Sequence, residues 1–158
     1  MAVINSLSSS SSVLQVVSNQ LATLLDVSGT AFDIDDSIPQ NDEGVEVITL
    51  SITPIYSISN LLIEFTGFAT TNGAKSGGAL FQDSTANALT AVAYHSQGTQ
   101  TRSFFMSHIM QSGTTSSTTF KVRIGCDTST CYVNAANTGG GQNYDGVAAT
   151  LLTITEFL

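Results

Sequence analysis

The stretch Phe120-Lys121-Val122-Arg123-Ile124 limits most severely what this chain can fold into. Its apolar side chains recur at every second residue, and its two cations fill the alternate positions. That is the period of a strand with one face buried and one in water. The pattern returns near the end of the sequence, where Leu152, Ile154 and Phe157 interleave with Thr153, Thr155 and Glu156, with a slip at the last pair. Runs rich in β-branched and aromatic residues predict strands over 45–52, 61–68, 79–82, 88–95, 102–110, 118–125, 131–134 and 147–157. Breakers separate them, among them Thr71-Asn72-Gly73, Gln97-Gly98, Gln111-Ser112-Gly113 and Gly139-Gly140-Gly141. Many short strands with frequent turns predict an all-β chain. The expected architecture is a jelly-roll β-sandwich of about eight to ten antiparallel strands.

The N-terminal part supports two readings. Ser8 to Ser12 form a serine run, so 1–12 is expected to be a flexible leader and 13–158 a single head domain. Val13, Val17, Leu21, Leu24 and Leu25 fall at helical spacing. The adjacent Val16 and Val17 favour a strand instead. Helix and strand both stay open over 13–25.

Charge narrows the function. Only 10% of the residues are charged, against about a quarter in ordinary soluble domains. Ser and Thr make up roughly a quarter of the chain instead. A chain that buries part of its surface against copies of itself needs less charge for solubility, so the composition hints at an oligomer. The net charge is −8, and the four cations are Lys75, Arg102, Lys121 and Arg123. Phosphate counterions are displaced by a Lys/Arg patch, which this sequence lacks, so nucleic-acid binding is excluded. No apolar run approaches the roughly 20 residues that span a bilayer, so membrane insertion is not expected. Residues 1–5 lack the basic and apolar regions of an export signal, which leads to an expectation of synthesis in a cytosol.

Residues that could carry chemistry are few. Ser, His and Asp are present, but no Gly-x-Ser-x-Gly elbow is, and His95 and His108 both fall within strand-like runs. No catalytic residue and no cofactor is therefore expected, and the chain reads as non-enzymatic. Asp33, Asp35 and Asp36 lie in an acidic segment with Asp42, Glu43 and Glu46. Hard oxygen ligands at such spacing could hold Ca²⁺, or could simply form a solvated loop, and the EF-hand pattern is absent. Cys126 and Cys131 are too few for a zinc site but could close a disulfide across a hairpin, or stay as thiols. Gly139-Gly140-Gly141 lacks the Gly-Lys-Ser/Thr ending of a phosphate loop and reads as a turn. Tyr94, Tyr132 and Tyr144 lie near predicted loop ends, as contact residues or core-edge residues.

Five phrases occur in order: 36–44 (Asp-Ser-Ile-Pro-Gln-Asn-Asp-Glu-Gly), 51–54 (Ser-Ile-Thr-Pro), 79–89 (Ala-Leu-Phe-Gln-Asp-Ser-Thr-Ala-Asn-Ala-Leu), 118–125 and 151–156. Together they resemble a domain common in structural proteins of tailed bacteriophages, often found at the C-terminal end of tail fibres. The resemblance runs from about residue 13 to the end. It implies a compact trimeric jelly-roll head of the C1q/TNF-like kind, carried on a virion assembled in the host cytoplasm. The implied partners are further copies of the chain, major capsid or tail proteins, and a host-surface glycan or protein. Cys126 and Cys131, bracketing a turn, depart from the family pattern, as does the absence of a fibre shaft. That second departure favours a capsid decoration or head fibre over a full tail fibre. A calcium-dependent lectin-like module is the alternative. Arg123 is expected to pair with Asp83 or Glu64, within or across subunits, because interfacial Arg normally meets a carboxylate.

Overall fold

The computed structural model describes residues 12–73, 75–95, 98–127, 130–136 and 141–158. The leader expected over 1–12 lies outside these residues except for Ser12, as do Gln97 of one expected turn and Gly139 and Gly140 of another.

Ten strands form among the described residues: β1 (Val13–Leu21), β2 (Leu25–Asp26), β3 (Val45–Ile52), β4 (Asn60–Asn72), β5 (Lys75–Gln82), β6 (Thr90–His95), β7 (Thr99–Gln111), β8 (Thr118–Cys126), β9 (Cys131–Val133) and β10 (Thr150–Phe157). They pair in a nested series: β1 with β10, β2 with β9, β3 with β8, β4 with β7 and β5 with β6, all antiparallel. That is a long hairpin rolled up on itself, the topology of a jelly roll. Rolling divides it into a six-stranded sheet (β1, β10, β4, β7, β9, β2) and a four-stranded sheet in the order β3-β8-β5-β6. Residues 13–21 resolve to strand because β10 offers them a ladder partner along their whole length.

The alternation read from the sequence sets the core. Leu61, Ile63 and Phe65 of β4, Phe104 and Met106 of β7, and Leu152 and Ile154 of β10 point inward from the larger sheet. They meet Ile48, Ile52, Leu80, Phe120, Val122 and Ile124 from the smaller one. Removing such side chains from water is the main stabilising term, roughly 1.5–3 kcal/mol for each large residue.

The expected slip at the end of β10 does not occur. Burial continues through Thr150, Leu152, Ile154 and Glu156, so the carboxylate goes inside and Phe157 faces outward. The reason is a ring of donors. Glu156 accepts hydrogen bonds from the Ile55 backbone N–H (2.9 and 3.0 Å), the Tyr56 N–H (3.2 Å), the Ser59 hydroxyl (2.5 Å) and Gln15 Nε2 (2.6 Å). A bulge between Val13 and Gln15 in β1 sets Gln15 opposite Glu156. Burial alone would raise the carboxyl pKa. The donors outweigh burial and hold it below its ordinary value of 4.5.

Candidate functional site

Two surfaces cover the sandwich, and they differ in chemistry. The first is the outer face of the six-stranded sheet. Where β1, β10, β4 and β7 run side by side, their registers place outward side chains in cross-strand rows. One row is Val16, Thr155, Leu62 and Ile109; the next is Ser18, Thr153, Glu64 and Ser107. A third is Gln20, Leu151, Thr66 and Phe105, and a fourth is Val13, Phe157, Asn60 and Gln111. Glu64 is the single charge in these four rows. Ile109 is 62% exposed, Val13 62%, and Val16 and Phe105 56% each. An antiparallel sheet with one face in water normally shows polar residues there. This face carries Val, Leu, Ile and Phe at about half of its positions.

The second surface is the outer face of the four-stranded sheet, which the chain itself partly covers. The segment before β3 folds across it, with Phe32 as its plug at 2% exposure. Glycines make the socket. A Cβ on Gly77 of β5 would lie 2.4 Å from Phe32 Cδ1, and one on Gly125 of β8 would lie 3.0 Å from Phe32 Cβ. Gly44, at φ +62°, turns the segment back into β3. Phe32 packs with Ala79 and Phe81 in a small cluster outside the main core. The sequence reading missed this residue. The usable signal was Gly77-Gly78 inside β5, since glycine in a strand often marks close approach by another group.

The acidic residues ride on this segment. Asp35 accepts bonds from the Ser37 hydroxyl (2.6 Å) and N–H (2.7 Å), and these lower its pKa. Glu43 accepts from the backbone N–H groups of Asp33 (3.1 Å) and Gln40 (2.8 Å). Asp33, Asp35 and Asp36 are all exposed. Among the described residues no three His, Cys, Asp or Glu side chains converge as metal ligands, so Asp33, Asp35 and Asp36 are not brought to one point. Asp33 and Asp35 instead wall a cleft of about 170 Å³ with Phe32, Ile34 and Val92.

Arg123 also departs from expectation. Its Nε donates to Glu43 O and its Nη2 to Gly44 O, each at 2.7 Å, so it clamps the turn before β3. Asp83 accepts instead from the Thr118 hydroxyl (2.9 Å) and the Thr119 N–H (2.8 Å), although it lines the same cavity of about 260 Å³ as Arg123 and Lys121. Glu64 faces outward from the other sheet, on the opposite side of the molecule. Two backbone carbonyls replace the carboxylate because the covering segment brings them within reach of the guanidinium.

The remaining expected residues are scattered. Tyr94 packs edge-on against Phe104 (centroids 5.1 Å apart, planes at 76°), as a core-edge residue. Tyr132 is half-buried in β9. Tyr144 is 84% exposed, in a turn where it and Asp145 adopt left-handed backbone angles (φ 47° and 55°). His95 is exposed at the end of β6, and His108 is half-buried in β7. Cys126 and Cys131 are buried thiols with no disulfide between them, and the neighbouring Cys126 thiol and burial push the Cys131 pKa up.

No protein-family model matches the chain, and no curated protein sequence does. Solved structures similar to it in shape include the following two. One is the dimeric latent PorU of Porphyromonas gingivalis, at 8% identity and a TM-score of 0.43, over 92% of this chain. The other is infectious bursal disease virus, Gx strain, at 11% identity and a TM-score of 0.43, over 90% of this chain. The chain spans 13% of the length of the first and 40% of the second.

Proposed function

We propose that this is a non-enzymatic structural protein of a bacteriophage virion, a homotrimer displayed on the particle as a capsid decoration or head fibre, or as a tail-fibre head. The observation that carries the reading is the outer face of the six-stranded sheet, with its four cross-strand rows and one charge. An apolar sheet face of this kind marks a protein–protein contact.

Its size suits the role. Eight-residue strands at about 3.4 Å per residue, four abreast at about 4.8 Å, give a flat footprint of roughly 500 Å². Side chains raise the accessible area above that, towards the roughly 800 Å² per partner of a stable interface. Closing a ring would also cover the long edge strand β7, whose ladder partner among the described strands is β4 alone. The jelly-roll topology and the five phage-like phrases fit the same reading. Major capsid or tail proteins are the proposed partners, with a host-surface glycan or protein contacted by the loops. Assembly would take place in the host cytoplasm.

Light scattering coupled to size exclusion is the test. The expected mass is three times 16.5 kDa, and a monomer at micromolar concentration would refute self-association. Binding to purified empty capsids, set against binding to host cells, then separates decoration from attachment. Binding to neither would refute the virion role.

A further inference from the structure

Cys126 ends β8 in the four-stranded sheet, and Cys131 opens β9 in the six-stranded one. Their neighbours explain how two sheets bring two sulfurs together. Cys126 is paired with Ser76 at the start of β5, and Cys131 with Thr71 at the end of β4. β4 and β5 follow one another in sequence, so Thr71 and Ser76 flank a short turn at which the chain passes from one sheet to the other. The two cysteines lie across from the two sides of that turn. Both are buried, at 4% and 0% exposure.

The backbone on either side is already held. The Asp127 N–H donates to Lys75 O, and the Lys75 N–H donates to Asp127 Oδ1, both at 3.1 Å. The Cys131 N–H donates to Ser28 Oγ at 2.8 Å, and its carbonyl accepts from the Val27 N–H at 2.9 Å. Little ordering is left for a bond between the sulfurs to impose.

We propose that Cys126 and Cys131 form an intrasubunit disulfide that joins the two sheets when the chain folds in the presence of a small-molecule disulfide. One protein thiolate attacks the small disulfide, expels a thiolate and leaves a mixed disulfide. The second protein thiol loses its proton, attacks that mixed disulfide and expels the other small thiolate. The protein gives up two protons and two electrons, and the oxidant becomes two small thiols. The timing follows from burial. In the folded chain the neighbouring Cys126 sulfur and the apolar surroundings push the Cys131 pKa up, and neither sulfur is open to reagents. Closure therefore takes place during folding, and the redox state at that moment persists in the folded protein. This inference is independent of the virion reading.

The experiment is to unfold and reduce the whole chain, then refold it in a glutathione/glutathione-disulfide buffer or in dithiothreitol. Each sample is then denatured, alkylated with iodoacetamide and weighed intact. The expected result is no alkylation and a mass lower by two hydrogens in the first buffer, and two alkyl groups per chain in the second. The oxidised form should also melt about 5 °C higher, as suits a short covalent loop in a domain of this size. Cys126→Ser and Cys131→Ser should each melt alike after both treatments. Two alkyl groups after refolding with glutathione disulfide, a disulfide between chains, or equal melting of the two wild-type forms would overturn the proposal. The wild-type mass decides the matter even if either variant fails to fold.

Discussion

Glu156→Gln tests whether a buried carboxylate without a cation is held by neutral donors alone. In the wild type, one oxygen takes the Tyr56 N–H and the Ser59 hydroxyl, the other takes Gln15 Nε2, and the Ile55 N–H reaches both. A glutamine keeps the shape but has one acceptor oxygen and one donor nitrogen. Its nitrogen must face Gln15 or the Ile55 N–H, both of which donate. Gln15 cannot simply flip, because its nitrogen also donates to Thr53 O at 2.9 Å. One clash between donors, with weaker bonds at the remaining three, costs about 2 kcal/mol after allowing for the relief of burying no charge. Glu156→Ala leaves every donor unanswered and opens a cavity, so about 4 kcal/mol is expected.

At about 2–4 °C per kcal/mol for a domain of this size, the glutamine variant should melt roughly 6 °C below wild type at pH 7. The gap should depend on pH with a definite sign. The folded pKa of Glu156 lies below its ordinary value of 4.5, so its stabilisation is fully present above pH 4.5. It is lost as pH falls through the folded value. Urea melts of both proteins from pH 7 to pH 3 read this directly, and the difference should narrow towards the acid end. Equal stability at pH 7, or a gap that does not change with pH, would refute the reasoning.

Ile109→Glu with Phe105→Glu should turn an oligomer into a monomer in sedimentation while leaving the monomer's urea midpoint nearly unchanged, since both residues point into solvent. Gly77→Ala should cost about 2 kcal/mol in chemical denaturation, because its Cβ would stand 2.4 Å from the Phe32 ring. Adding Phe32→Leu should recover part of that loss, whereas strictly additive costs would place the strain elsewhere. Ser76→Ala should stabilise by roughly 1 kcal/mol, because the Ser76 hydroxyl is buried with no hydrogen-bond partner among the described residues. A drop in melting temperature would show that the hydroxyl is satisfied.

Strand positions were legible wherever apolar and polar residues alternate. The stretches around Phe120 and Leu152 run as the period of two requires. β5 starts at Lys75, ahead of the strand expected from Ala79, and its two glycines are packing positions that no local pattern reveals: the Phe32 ring lies on Gly77, while Ile124 and Phe104 stand against Gly78. Residues 13–21 could not be assigned because their Val and Leu spacing suits both periods, and β10 decides the matter from more than a hundred residues away. The apolar outer face could not be read from any one strand. It exists only once three strand registers set Val16, Leu62, Ile109, Leu151 and Phe105 side by side.

Alternation and turn residues by themselves determined that this chain is an all-β sandwich, because a half-buried strand imposes its period on the sequence that builds it. Tertiary structure alone decided what each polar residue does. Glu156 lies inside because donors from two separate stretches, β1 and the connection between β3 and β4, close around it. Arg123 binds two carbonyls because the segment that Phe32 pins to the sheet carries them past it. A carboxylate or guanidinium responds to whatever stands within about 3 Å of it. In a jelly roll those neighbours come from residues far away in the chain.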